Sequence, residues 1–151
     1  MNVNGILSKG TATADTGIIK TGNGTMAFNN TANYYTNGTI VSGGTLLAGA
    51  DSPSGSPGAF GSNTLAIILG NAATTTGNSS PSLQINGSFN VGHPIIVTNA
   101  ATTGTYSIGG FADANGIFSG PVIIDEPLTI SQVANTGGNG LTISGGGTSG
   151  S

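Results

Sequence analysis

The residues of this chain that could do chemistry are few and lie far apart. His93 is the single histidine and sits in a turn between two apolar stretches, whereas a catalytic triad needs a serine or threonine and a carboxylate beside its histidine. Asp125 and Glu126 are neighbours, so their side chains would point to opposite faces of a strand, which is poor geometry for paired-carboxylate glycoside hydrolysis. We therefore expect a solvated turn histidine at position 93 and no enzymatic activity.

The sequence does not support a metal or cofactor site either. The chain has one histidine, no cysteine and only five carboxylates, and these are too dispersed for a zinc ligand set or a calcium-binding loop. Asp51 and Asp113 are far from Asp125 in the sequence and could reach it only through folding. We expect no metal ion and no cofactor.

Lysine and tyrosine each admit two interpretations. Lys9 and Lys20 could form isopeptide crosslinks if they were buried beside an asparagine and a carboxylate, but we expect solvated lysines that blunt a strand edge. Tyr34, Tyr35 and Tyr106 could form a stacking platform for a carbohydrate, although such aromatic residues more commonly pack within the fold.

Composition bounds the class of protein. Charged residues make up 5% of the chain, against about 25% in an ordinary soluble domain, while a hydrophobic fraction of 36% argues against disorder. The net charge of −3, with two basic residues, disfavours nucleic acid and anionic membrane surfaces as partners. No apolar run approaches the roughly 20 residues of a membrane span, so we expect no membrane insertion of this segment. The first ten residues lack the basic and apolar regions of a signal peptide.

The histidine, carboxylates, lysines and tyrosines discussed above must lie on short strands or on the turns between them. Apolar runs recur about every 8–12 residues and are separated by turn formers such as Gly22-Asn23-Gly24 and Gly43-Gly44. No window shows a helical period, so we expect an all-β fold. Residues 51–58 and 70–81 are polar loops that should project from it, and residues 64–69 should be a strand buried on both faces.

Residues 17–48 carry the most specific pattern in the chain. It consists of Gly17, Lys20, Thr21, Gly22, Gly24, Thr25, Met26, Phe28, Gly38, Thr39, Val41, Gly44, Thr45 and Leu46. This pattern resembles the autotransporter-associated β-strand repeat. The resemblance implies a parallel β-helix, or β-solenoid, within a secreted bacterial surface protein, and by itself implies no activity.

A coil of this kind would stack turns of roughly 20–25 residues, with Ile, Val, Leu and Phe inside and Thr, Ser and Asn outside. The length of the chain would then give six or seven turns. We expect residues 1–151 to form a single β-solenoid domain. Residues 1–16 are a possible terminal strand for assembly, and residues 144–151 are a Gly/Ser tail.

The two ends of such a coil should drive assembly, because their strand edges and apolar columns are unpaired. The candidate assembly residues are Val3, Ile6, Leu7, Leu141 and Ile143. We therefore expect a structural subunit or module of an extracellular bacterial fibre or surface stalk, located outside the cell or at its surface. Its principal partner would be a further copy of itself, added head to tail.

Two other functions remain open at this point. An adhesin or carbohydrate-binding passenger segment would use the two long loops and exposed aromatic residues to bind cell-surface glycans. Binding to ice or a mineral surface would need threonines in ranks of fixed period, and the threonines here look irregular.

Overall fold

The chain folds into a coil whose strands form three parallel sheets. The computed structural model describes residues 1–11, 16–100, 102–133 and 137–146. Residues 12–15 of the predicted terminal segment and residues 147–151 of the predicted tail therefore lie outside the described residues.

The first sheet contains strands from both ends of the described chain. In spatial order its six strands are β1 (Asn2–Val3), β3 (Thr25–Phe28), β5 (Gly44–Ala48), β7 (Pro81–Ile85), β10 (Tyr106–Gly110) and β13 (Leu128–Gln132). The second sheet contains five strands, β2 (Ile18–Lys20), β4 (Thr39–Val41), β6 (Ile67–Leu69), β9 (Ile95–Val97) and β12 (Val122–Ile124). The third sheet contains β8 (Asn90–Val91), β11 (Ile117–Phe118) and β14 (Thr142–Ile143).

The chain visits these sheets in rotation, so each sheet pairs strands from successive turns. All pairs between these fourteen described strands are parallel, and the coil makes about five turns. The expected all-β class and parallel β-solenoid are thus confirmed, with fewer turns than the six or seven predicted.

Turn length explains the smaller number of turns. Ser82 lies opposite Ser107 in the first sheet, 25 residues later, within the predicted range. Thr45, however, lies opposite Ser82, because the intervening turn also carries a long loop and a helix. The turn from Thr45 to Ser82 therefore contains about one and a half times as many residues as the turn from Ser82 to Ser107.

Apolar side chains stack in columns inside the coil. Leu46, Leu83 and Ile108 are in register along the first sheet, and each is fully buried. Along the second sheet, Val41, Leu69 and Val97 form a matching inward column. The third sheet contributes Val91 and Phe118, and Phe28 packs against Phe60 with ring centroids 6.0 Å apart.

A tight corner between the second and first sheets requires glycine. Gly44 has a φ of 65°, a left-handed conformation that glycine adopts without steric cost. A Cβ at this position would meet the carbonyl oxygens of Gly22 and Gly24 in the turn below. The Gly-Gly signal in the sequence therefore marks a corner where successive turns approach closely.

The loop predicted at residues 51–58 projects at its tip and is anchored at its base. Residues 53–56 are exposed, while Ser52 bridges to Val91 and Gly58 bridges to Asn33. Immediately after the loop, Ala59 and Phe60 are buried in the core.

The polar segment 70–81 is not wholly a loop, because residues Ala72–Gly77 form the helix α1. Asn71 caps this helix by accepting hydrogen bonds from the backbone N–H groups of Ala73 and Thr74, and Thr74 completes a capping box. The Thr74 hydroxyl also donates to the carbonyl of Ser42 at 2.8 Å, which fixes the helix to the coil. No helix in the described residues is long and apolar enough to cross a membrane.

The prediction that residues 64–69 form one strand buried on both faces is wrong at its start and at Ile68, since Thr64 and Leu65 are exposed and precede the strand. The strand proper is β6, in which Ile67 and Leu69 are buried and Ile68 is half-buried. Side chains alternate between the two faces of a strand, so Ile68 lies on the outer face of the second sheet.

Candidate interaction surfaces

His93 is buried, so the expectation of a solvated turn histidine is wrong. Its exposed fraction is 1%, and its Nδ1 lies 3.1 Å from the carbonyl oxygen of Leu65 in the preceding turn. Burial lowers the pKa of the imidazole, which favours the neutral ring with Nδ1–H donating to that carbonyl. Nε2 is buried and has no hydrogen-bond partner among the described residues.

The carboxylates do not converge in the described part of the chain. There, no three His, Cys, Asp or Glu side chains lie close enough to hold a metal ion. Asp51 accepts a hydrogen bond from the backbone N–H of Asn90 at 2.8 Å, which ties the projecting loop to β8. Asp113 lies beside Asn139, whose side-chain amide donates to the Asp113 carbonyl at 3.3 Å.

Lys20 is buried, with an exposed fraction of 4%, so the expectation of a solvated edge lysine is wrong for this residue. Its ammonium group donates to the carbonyl oxygens of Thr21, Gly22 and Gly43 at 3.0, 2.8 and 2.9 Å. Burial lowers the pKa of this group. The hydrogen bonds go to main-chain carbonyls at a corner of the coil, an arrangement that fits a structural role. Lys9, in contrast, is exposed.

The tyrosines are distributed over the coil and do not share one face. Tyr35 and Tyr106 are buried, with exposed fractions of 2% and 4%. The Tyr35 hydroxyl is 2.8 Å from Thr39 Oγ1, and the Tyr106 hydroxyl donates to the Ala100 carbonyl at 2.6 Å. Burial raises the pKa of both phenols. Only Tyr34 among the three is exposed, so packing within the fold accounts for two of them.

The last turn presents three apolar side chains that continue the inward columns. Ile124 lies in register with Val97, Ile130 with Ile108, and Ile143 with Phe118. Their exposed fractions are 54%, 55% and 39%, whereas the residues beneath them are fully buried. We call Ile124, Ile130 and Ile143 the end face. Among the described residues, no further turn covers it.

The first turn is closed more fully. Val3 pairs with Phe28 in the first sheet, and Leu7 donates its N–H to Asn33 Oδ1 at 2.8 Å. Both side chains pack against the core, while Ile6 is exposed. Lys20 occupies the first position of an inward column of the second sheet. The predicted assembly residues thus do lie at the two ends of the coil. Leu141 packs against the core and Ile143 belongs to the end face.

A second apolar feature runs along the outside of the second sheet. Its members are in register from strand to strand and are Ile19, Ile40, Ile68, Ile96 and Ile123. We call this set the isoleucine ladder. Ile19 is 59% exposed and the others are half-buried. Four members of the ladder, all except Ile123, line a groove of about 420 Å³ together with Leu65 and other uncharged residues, and none of its described lining residues is charged.

The isoleucine ladder contradicts the expectation that Thr, Ser and Asn cover the outside. One outward row of the first sheet follows the expectation, with Thr25, Thr45, Ser82, Ser107 and Thr129 in register. The second sheet does not. The signal for it was present in the sequence, because Ile-Ile pairs recur at residues 18–19, 67–68, 95–96 and 123–124, and in a three-residue strand the middle side chain faces outward.

A polar trough lies on the outside of the first sheet. Its volume is about 470 Å³, and its lining includes Asn23, Thr45, Asn78, Ser80, Gln84 and Ser107. Hydroxyl and amide groups therefore dominate one side of the coil, whereas isoleucine dominates another.

One comparison with known proteins finds a match. Residues 18–48 match the model of the passenger-associated-transport-repeat family, from the first residue of β2 to the last residue of β5. The match confirms the resemblance found in the sequence for residues 18–48. A repeat of this family implies an autotransporter passenger-type segment and hence a secreted or cell-surface protein. No curated protein and no solved structure matches the chain.

Proposed function

We propose that this chain, with its passenger-type repeat at residues 18–48, is a structural segment of an extracellular bacterial stalk or fibre that lengthens by end-to-end stacking. The end face carries the proposal. Its three isoleucines continue inward columns, and the residues directly beneath them, Val97, Ile108 and Phe118, are fully buried. A further coil turn placed on them would bury this surface, at a gain of roughly 25 cal/mol per Å² of apolar area.

Main-chain hydrogen bonding supports the same arrangement. Among the described strands, β12, β13 and β14 each pair on one side only, so within this part of the chain the N–H and C=O groups of their other edges have no strand partner. An edge of this kind is a template for an added strand. The strand can come from the first turn of another copy, where Ile6 is exposed and Val3 and Leu7 are half-buried. Contacts between unlike ends do not close on themselves, so repeated addition gives a filament.

The test is electron microscopy of the purified chain with the double variant Ile124→Lys, Ile130→Lys. Both positions are already exposed, so the lysines should be solvated and the fold should persist, as far-UV circular dichroism can check. We expect filaments of uniform width from the wild-type chain and none from the double variant. The matched control is Tyr34→Lys, Phe111→Lys, which adds the same charge at side chains that are 49% and 48% exposed but lie on turns between strands.

Filaments from the end-face variant, or their loss in the control as well, would contradict the end-stacking mechanism. Wild-type chains that remain monodisperse monomers would contradict self-assembly and would favour the second candidate function.

That second candidate is a glycan-binding passenger segment. The polar trough favours it, because hydroxyl and amide groups such as those of Asn78 and Gln84 match the hydrogen-bonding groups of sugars, and the exposed tip of the loop at residues 53–56 adds a second polar surface. Binding to a glycan array that is lost in the variant Asn78→Ala, Gln84→Ala would support it. Absence of binding to any glycan by the wild-type chain would count against it.

A further inference from the structure

The isoleucine ladder is a regular, uncharged surface that the stalk function leaves unused. Parallel strands lie about 4.8 Å apart, so five isoleucines in register form a straight row about 19 Å long. The described residues that line the groove along it are glycine, alanine, asparagine, leucine and isoleucine. Apolar side chains scattered singly over a surface are ordinary, whereas these five form one contiguous row, so the row is a candidate interaction surface.

We infer that the isoleucine ladder is a lateral docking surface for the same ladder of a second copy of this chain, related by a two-fold axis. A second copy has the same strand spacing, so its isoleucines can interdigitate along the whole row. The groove along the ladder gives them room. A two-fold contact uses the same patch on both partners. Because the lining carries no charge, two copies meet here without local repulsion.

The area of the ladder determines how strong this contact is. Three-residue strands are about 10 Å wide, so the ladder face covers about 200 Å², compared with about 800 Å² per partner in a stable interface. A single pair of ladders therefore gives a weak dimer. Copies stacked end to end would place several ladders in one line, and their contacts would act together. The lateral contact itself does not depend on that stacking.

The first experiment measures self-association by sedimentation equilibrium in the end-face variant Ile124→Lys, Ile130→Lys, so that end stacking does not contribute. We expect a weak monomer–dimer equilibrium. Adding Ile40→Thr, Ile68→Thr and Ile96→Thr should reduce the association constant at least about tenfold, because threonine keeps the β-branched shape but loses apolar surface. The matched control replaces the same three residues with valine and should retain most of the association.

Ideal monomers at millimolar concentration, or equal association with threonine and isoleucine, would overturn the inference. If the end-face variant is monomeric while the wild-type chain forms filaments, lateral pairing is rejected and end stacking is retained. If the ladder instead binds a peptide or a lipid, the threonine substitutions leave self-association unchanged. That result also contradicts a second copy of the chain as the occupant of the ladder.

The second experiment uses the absence of cysteine from the chain. Ile68 is the middle member of the ladder, so a two-fold axis centred on the row brings its two copies together. Under a mild oxidant, Ile68→Cys should form a disulfide-linked dimer much faster than Ser107→Cys, which lies on the outer face of the first sheet. Equal crosslinking rates at the two positions would contradict the two-fold contact.

Discussion

At the scale of single residues, Lys20 replaces an apolar side chain at the start of an inward column. The column continues through Val41, Leu69 and Val97. A buried ammonium is costly unless its donors are satisfied, and here its hydrogen-bond acceptors are three main-chain carbonyls of neighbouring corners. The methylene stem can fill the position of an apolar residue while the charge holds two turns together.

Lys20→Met should therefore destabilise the coil although it adds an apolar side chain. It leaves the buried bond acceptor at Gly43 without a donor, at an expected cost of about 1–3 kcal/mol in the free energy of unfolding. Chemical denaturation measures this change. Lys9→Met is the matched control, because Lys9 is exposed, and it should change stability by less than about 0.5 kcal/mol. A Lys20→Met variant as stable as the wild type would show that desolvation of the ammonium outweighs its hydrogen bonds.

His93 makes the stability of the coil depend on pH. Burial lowers the pKa of His93 in the folded state below its usual value of about 6.5, so the unfolded chain binds the proton more readily. Stability should therefore be complete above about pH 6.5 and should fall as the pH drops below it, by at most about 1.4 kcal/mol per pH unit. Because the chain has one histidine, this window is largely free of other titrating groups.

Thermal unfolding between pH 7 and pH 5 tests this expectation. The wild-type melting temperature should decrease over the interval, and that of His93→Gln should change much less. An equal decrease in both proteins would assign the effect to other groups.

At the scale of strands, the alternation of faces decides which isoleucine matters for folding. In β6, Ile67 is 1% exposed and Ile68 is half-buried on the outer face. Ile67→Asp should place an unpaired charge in the core and abolish soluble, folded protein. Ile68→Asp should remain folded, since its carboxylate can reach water. Soluble yield and circular dichroism of the two variants measure this, and equal loss in both would contradict the assigned facing.

Part of this fold follows from the sequence and part does not. The repeat at residues 17–48 has turn glycines at fixed offsets, which is a local signal, and it predicted both the class and the stacking. The burial of His93 depends on the Leu65 carbonyl, and that of Lys20 in part on the Gly43 carbonyl. Adjacent turns bring both carbonyls close, and no local pattern reveals them. The outward isoleucines were missed because isoleucine was assigned to the inside of the coil throughout and residues 64–69 were interpreted as a strand buried on both faces. The helix α1 is too short to show a period.

At the scale of the whole molecule, the two ends of the coil differ. One has a first turn packed on the core and the buried Lys20, and the other has the end face. Association at the end face should stabilise the folded state by mass action. The melting temperature of the wild-type chain should therefore rise with protein concentration, and that of Ile124→Lys, Ile130→Lys should rise less. If calorimetry finds the same increase of melting temperature with concentration in both proteins, that result contradicts end-face association.

The unequal turns have a mechanical consequence. Strands run across the coil, so the hydrogen bonds between turns lie along its length, and a force applied between the two ends of the chain loads one turn at a time. The coil should therefore peel in discrete extensions rather than rupture as a unit. At about 3.4 Å per residue, the turn from Ser82 to Ser107 releases about 85 Å, and the turn from Thr45 to Ser82 about 125 Å. The long turn would then act as a reserve of length under tension.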